Sequence, residues 1–181
     1  MSIILKPLMA LFAHPIEGTE PQIVTLDAPM PIIGLAMQTS TKRVYRDVPR
    51  LGKQFQAHRD SIPGKKQPWA FAAVTTDFDP ETHSFTYIMG DVVTGTQAIP
   101  EGLIAFDIPA GTYAVFPVRP RNRFGWAPAI ISAKKYAYNT WLPRSGYRAA
   151  GIIDDFEYHD VRSLDKRNPQ IDLYVAVTVR S

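Results

Sequence analysis

The order of predicted strands and helices repeats once along this chain. Each half is predicted to contain two short strands, one helix and a β-hairpin, in that order. The first helix begins at Asp47, a residue type that caps helices well, and it ends near Asp60, ahead of Pro63 and Gly64. The predicted strands span 23–26, 32–39, 69–76, 84–93, 103–106, 112–118, 154–159 and 170–179, and the second helix spans 127–142.

Neither half could bury enough apolar area to be stable alone, so we expect the two halves to fold together. The predicted fold is α+β, with duplicated βαββ repeats forming one curved antiparallel sheet. We expect two helices on one face of the sheet and a ligand cleft on the other. The first repeat covers about residues 22–94 and the second about 95–181, and residues 1–21 form an N-terminal arm.

The second hairpin carries two acidic residues that bear on function. Its returning strand, residues 170–179, alternates apolar and polar side chains from Ile171 onward, which is typical of a half-buried strand. A hairpin folded symmetrically about Leu164 and Asp165 places Glu157 directly opposite Asp172. Like charges in that position normally destabilise a strand pair. The pair therefore indicates a cation-binding or acid–base site.

Aromatic side chains accompany these acids on the face predicted to be free of helices. Each one alone is better explained as an ordinary core residue, but together with Glu157 they favour a pocket. Trp126, just before the second helix, is either a lid or a core residue. The predicted ligand-binding residues are Glu157, Asp172, Tyr174, Tyr113, Phe85, Tyr87, Met89, Trp126 and Phe71, for which Trp69 is the alternative.

Composition excludes several classes of chemistry. The chain has no cysteine, which rules out disulfides, thiolate zinc sites and cysteine nucleophiles. Its four histidines lack metal-ligand spacing, so we expect no metal and no cofactor. The net charge of +3 is far from the dense basic stripe of nucleic-acid-binding proteins. Basic stretches at 42–66 and 119–123 are predicted to be solvated surfaces, with a protein or nucleic-acid contact as the alternative.

The N-terminal apolar run, residues 3–13, is interrupted by Lys6 and Pro7 and is too short to cross a membrane. We predict that it docks on the domain, and the alternative is a weak export or anchoring signal. We expect a soluble, cytoplasmic protein that does not bind a membrane.

Three segments resemble GyrI-like (gyrase-inhibitor-like) domains, which are also the effector-binding domains of some AraC-type and MerR-type multidrug regulators. The first comprises IPEGL at 99–103 and IPAGTYAVF at 108–116. The second is WLPRSGY at 141–147, and the third combines FEY at 156–158 with IDLYV at 171–175. The resemblance covers about residues 22–179. No single segment is specific for the family, but their combination in this order is.

The resemblance implies a cleft for small, amphipathic, often cationic and aromatic molecules, with a central glutamate at the position of Glu157. A carboxylate in an aromatic cleft is poorly solvated, so we expect its pKa to be raised. Ring faces around it would attract a ligand cation. The chain is expected to act alone, in sensing or sequestration, without a helix-turn-helix domain and without direct DNA binding.

Two further functions stay open at this point. Some members of the family are hydrolases of strained, cyclopropane-bearing genotoxins, which implies Glu157 as the base with Tyr113 or Tyr174 as the acid. The family name implies a protein partner such as DNA gyrase, for which the basic surfaces are the supporting feature.

Overall fold

The computed structural model describes residues 20–121 and 125–180, so most of the predicted N-terminal arm lies outside the described residues. The strands are β1 (Gln22–Leu26), β2 (Met30–Ser40), β3 (Ala70–Thr76), β4 (Ser84–Val92), β5 (Ile104–Ile108), β6 (Gly111–Val118), β7 (Tyr147–Ala149), β8 (Asp155–Asp160) and β9 (Ile171–Val179). The helices are α1 (Val44–His58), which a 3₁₀ turn extends over Arg59–Ser61, and α2 (Trp126–Tyr136). Neither of these described helices is long and apolar enough to cross a membrane.

All strands belong to one antiparallel arrangement in the order β1-β6-β9-β8-β3-β4-β2-β5, and β7 pairs with β9. This order is symmetric between the two halves of the chain. Exchanging β1 with β5, β2 with β6, β3 with β8 and β4 with β9 gives the same order read from the other end. The central contact, between β3 and β8, joins the two halves of the chain. The α+β fold with one curved antiparallel sheet and two helices, as predicted from the sequence, is confirmed.

A short connection shows how strongly the sheet curves. Pro109 and Ala110 alone join β5, at one end of the strand order, to β6, next to the other end. Such a connection spans at most roughly 11 Å, so the two ends of the sheet lie near each other. The interior of a barrel of about eight strands has room for side chains only, and both helices therefore lie outside the curve.

The two faces of the sheet carry different cores. The inner face is filled by apolar side chains from both halves, including the fully buried Tyr113, Phe156 and Val74. On the opposite side, the helix face, Leu51 and Phe55 of α1 belong to one core cluster. A second cluster holds residues of α2 together with β6 and β9: Ala129, Ala133, Phe116, Leu173 and Val175.

The helices depart from the sequence prediction at one end each. α1 begins three residues early, and Asp47 lies inside its first turn, where its carboxylate accepts a hydrogen bond from Thr39 Oγ1 at 2.9 Å. α2 was predicted to stop before Pro143. It continues instead through a widened π-helical turn, Ala137–Trp141, and a last turn that contains Pro143. The widened turn accommodates a proline that would otherwise clash with the preceding turn.

The closing hairpin is displaced by one residue from the predicted register. Glu157 pairs with Leu173, and Tyr158 pairs with Asp172. The expectation that Glu157 faces Asp172 is therefore wrong. Because a shift of one residue moves a side chain to the other face, Glu157 lies on the helix face and Asp172 lies on the inner side.

Hydrogen bonds of its own hold the connection between the two strands of this hairpin. The side chain of Asp160 accepts from the backbone N–H of Arg162, which begins a 3₁₀ turn over Val161–Leu164. The carbonyl of Arg162 then accepts from the backbone N–H groups of Asp165 and Gln170. These bonds are not arranged symmetrically about Leu164 and Asp165, in keeping with a register one residue away from the symmetric one.

Candidate functional site

The middle of the sheet forms the floor of a groove between the two helices, here called the interhelical groove. It lies on the helix face, whereas the predicted cleft was on the opposite face, which apolar side chains fill. α1 contacts β2 and β4, whereas α2 contacts β6 and β9, so β3 and β8 lie between the two packed regions. Three cross-strand pairs line the floor on the helix face: Phe71 with His159, Ala73 with Glu157, and Thr75 with Asp155. The small side chain of Ala73 leaves Glu157 without a bulky neighbour on β3.

Glu157 is buried in this floor, with 6% of its surface exposed, and two cationic or titratable groups approach it. Lys134 Nζ, from α2, lies 3.4 Å from Oε1. His159 Nε2 lies 3.6 Å from Oε2, which is an ion-pair rather than a hydrogen-bond distance. Burial raises the pKa of Glu157, but the attraction of Lys134 and His159 outweighs burial and leaves the pKa below its usual value. The expected raised pKa is therefore wrong, because the sequence did not reveal Lys134 beside it.

Asp155 is a second buried carboxylate in the same floor. Its Oδ1 lies 2.8 Å from Lys134 Nζ, and its Oδ2 accepts a hydrogen bond from the Tyr138 hydroxyl at 3.0 Å. Lys134 Nζ also donates to Thr75 Oγ1 at 3.1 Å. Burial lowers the pKa of Lys134, but the attraction of Asp155 and Glu157 has the larger effect and raises the pKa to about 12. Two carboxylates thus share one permanently charged ammonium group.

A row of rings crosses the groove from one helix to the other. Phe55 of α1 lies 5.7 Å from Phe71, measured between ring centroids, and Phe71 meets His159 edge-on at 5.4 Å. His159 in turn lies 6.1 Å from Trp126 at the start of α2. Phe71, His159 and Trp126 are each only partly buried, so this row of rings is not fully covered by the helices.

A separate acidic cluster lies on the same face beyond Phe71. Asp91 is fully buried, and the guanidinium of Arg59 binds it through Nε, at 2.8 Å from Oδ2, and through Nη2. Trp69 Nε1 donates to Oδ1 at 3.1 Å, and Lys65 Nζ lies 3.7 Å from Oδ2. One carboxylate here has two cations. The Arg59 guanidinium carbon lies 5.0 Å from the ring centroid of Trp69 and 5.9 Å from that of Phe71. Of the two sequence alternatives, Phe71 is the one whose ring contacts His159 in the groove floor.

The structure divides the predicted binding residues between the two faces. Tyr113 and Tyr174 lie on the inner side with Phe156, whose ring stacks on Tyr174 at 4.4 Å. The Tyr113 hydroxyl donates to the carbonyl of Pro109 at 2.8 Å. Asp172 is paired with Arg162 at 2.6 Å. The expectation that these three residues share a cleft with Glu157 is wrong, since the sheet separates them. The predicted acid–base pairs for a hydrolase, Glu157 with Tyr113 or Tyr174, are separated for the same reason.

Phe85, Tyr87 and Met89 do share the face of Glu157, but they are buried in the cluster under α1. Burial and the nearby charges of Glu157 and Asp155 raise the pKa of Tyr87 well above its usual value. These residues pack between the sheet and α1, beside the groove floor. Of the nine predicted residues, Glu157, Phe71 and Trp126 are therefore the ones that the structure brings to the groove.

Sequence reasoning missed Lys134 and Asp155, which complete the charge arrangement around Glu157. A signal for Asp155 was present, since it alternates with Glu157 and His159 on one strand. Nothing in the sequence distinguishes Lys134 from Lys135 until the helix is placed on the sheet. In the part of the chain that is described, no three acidic or histidine side chains are grouped as metal ligands would be.

Comparisons with known proteins agree with this architecture. A family model described as "Cass2: Integron-associated effector binding protein" matches residues 22–177. The transcriptional regulator BrlR of Pseudomonas aeruginosa is 30% identical over 131 residues, which is 71% of this chain and 45% of the relative. The chain thus spans less than half the length of that regulator.

Two solved structures share the fold at low sequence identity. An integron cassette protein from the mobile metagenome of Vibrio cholerae superposes with a TM-score of 0.63 and 14% identity, over 88% of this chain and 97% of that one. The protein SAV2435, bound to tetraphenylphosphonium, gives a TM-score of 0.64 and 9% identity, over 88% of this chain and 94% of that one. At these identities the likeness is one of fold.

Proposed function

Because this chain belongs to the family of Cass2 integron-associated effector binding proteins, we propose that its interhelical groove binds small, amphipathic, cationic aromatic molecules. Glu157 supplies the central negative charge. Such binding would serve to sense or sequester these compounds.

The observation that carries this proposal is the charge imbalance in the groove floor. Asp155 and Glu157 are both buried, and among the described residues Lys134 is the one permanently charged group that both approach, whereas His159, beside Glu157, is charged only when protonated. Buried carboxylates are costly unless they are paired, so a site with an excess carboxylate gains from a second cation. A bulky organic cation is weakly hydrated, so it gives up less hydration free energy than a metal ion does on entering the groove.

The ring row supplies the second part of the recognition. Phe71 and Trp126 present partly buried rings on either side of His159. A cation over such a face gains roughly 0.5–2 kcal/mol, and stacking tolerates many ligand shapes. SAV2435, which shares the fold, holds a cation surrounded by four phenyl rings, and this is the ligand chemistry proposed here.

The test is isothermal titration calorimetry with tetraphenylphosphonium. We expect Glu157→Gln to weaken binding by at least about tenfold, since a hydrogen-bonded charge interaction contributes roughly 1.5–3 kcal/mol. The matched control is Asp172→Asn, which removes a carboxylate from the adjacent strand on the other face. We expect it to leave the affinity unchanged. Equal affinity in wild type and Glu157→Gln would refute the role of Glu157.

A further inference from the structure

Lys134 already occupies the position that a ligand cation would seek. Its Nζ lies 2.8 Å from Asp155 Oδ1, 3.4 Å from Glu157 Oε1 and 3.1 Å from Thr75 Oγ1. These three oxygens come from β3 and β8, the two strands of the groove floor. The ammonium group therefore sits where the negative charge of the groove is concentrated.

A ligand cation at the same carboxylates would lie close to this ammonium group. Two like charges a few ångströms apart repel each other strongly in a partly dry site. Binding is favourable only if the ligand shares the two carboxylates with Lys134 or displaces it. The charge of this one side chain thus competes with the ligand for Glu157.

Lys134 is able to move away. Its side chain keeps 24% of its surface exposed, so the four-carbon stem has a route to solvent. It is attached to α2 three residues before the widened turn, and it belongs to a different element from the carboxylates it pairs with. Outward rotation of the stem would free Glu157 without any change in the sheet.

We propose that Lys134 is a tethered counter-cation that sets the ligand threshold of the groove: it offsets one of the two buried carboxylate charges when the groove is empty and must be displaced from Glu157 by a cationic ligand. This inference rests on the proposed function. It predicts a ligand specificity that Glu157 without Lys134 beside it would not have. Weakly bound or strongly hydrated cations fail to displace Lys134, whereas cations with aromatic substituents displace it.

The test compares Lys134→Met with Lys135→Met, which removes the same charge from the next, exposed position of α2. Titrations use tetraphenylphosphonium and the neutral triphenylphosphine oxide at pH 8, where histidine side chains are ordinarily neutral. We expect Lys134→Met to bind tetraphenylphosphonium at least about tenfold more tightly than wild type, because the like charge is gone. Lys135→Met should match wild type, and affinity for the neutral probe should not change in either variant.

Unchanged or weaker binding of tetraphenylphosphonium by Lys134→Met, with wild type binding normally, overturns the inference and leaves the proposed function standing. Binding by neither protein overturns both. If Lys134→Met does not fold, acetylation of the wild-type protein by an N-hydroxysuccinimide ester decides the matter. We expect saturating tetraphenylphosphonium to speed modification of Lys134 relative to Lys135, since the displaced amine enters solvent; an unchanged or slower relative rate overturns the inference.

Discussion

Two clusters of buried acid lie on the helix face of the same sheet, and they are balanced in opposite ways. Asp91 is one carboxylate with two cations: Arg59 binds it through two nitrogens, and Lys65 lies nearby. Asp155 and Glu157 are two carboxylates that share Lys134. The Asp91 cluster is balanced by permanently charged groups of the described chain, whereas the groove floor keeps one carboxylate without such a partner, since His159 is charged only when protonated. The difference shows how one face can contain both a structural ion pair and a ligand site.

The largest expected effect comes from breaking the complete cluster. Arg59→Met leaves Asp91 buried without its bidentate partner, and we expect the free energy of unfolding to fall by about 3 kcal/mol. Urea denaturation measures the loss. Lys53→Met, at an exposed position of α1, is the control and should change stability by less than about 0.5 kcal/mol. A loss for Arg59→Met as small as that of the control would show that Asp91 does not depend on this pair.

A smaller effect is expected from removing one ring of the groove. Phe71→Leu keeps an apolar side chain but removes the ring face between Phe55 and His159. We expect the affinity for tetraphenylphosphonium to fall by roughly 1 kcal/mol, which is the order of one cation–π contact. Phe106→Leu, which alters a partly buried ring of the inner-face core, should leave the affinity unchanged. Equal losses in both variants would argue against a specific role for Phe71.

The smallest effect concerns acid sensitivity. The pKa of Glu157 in the folded protein lies below its unfolded value, so its contribution to stability is present above the unfolded pKa. That contribution is lost as the pH falls through the folded pKa. Denaturation from pH 6 to pH 3 should therefore show a shallower loss of stability in Glu157→Gln than in wild type. The exposed control Glu101→Gln should follow wild type, and a Glu157→Gln profile that does the same would contradict the depressed pKa.

The sequence predicted the fold well because the fold depends on patterns that each half displays separately. Apolar alternation in residues 171–179 and the start and stop residues of the first helix gave the element types, and the repeat gave the architecture. The resemblance to GyrI-like domains, read from segments such as that at 108–116, is confirmed by the family match. The short strand β7 was missed, since three residues carry too little periodicity.

The site was predicted less well because it depends on long-range geometry. The register of the closing hairpin differs by one residue from the symmetric one, and that offset places Glu157 on the helix face. Three residues that were predicted to share the face of Glu157 therefore lie on the inner face instead: Tyr113, Tyr174 and Asp172. Lys134 could not be assigned at all, because its partnership with Glu157 depends on where α2 lies on the sheet.

The central claim is that the excess negative charge beside Glu157 is where a cation binds. A crystal structure with tetraphenylarsonium tests it most directly, since the anomalous signal of arsenic locates the cation. We predict the arsenic within about 6 Å of a ring face of the groove, at Phe71 or Trp126, and next to the Glu157 carboxylate. Arsenic bound instead on the inner side at Tyr174, or in the surface pocket of about 370 Å³ beside Trp141 and Tyr147, would contradict the account.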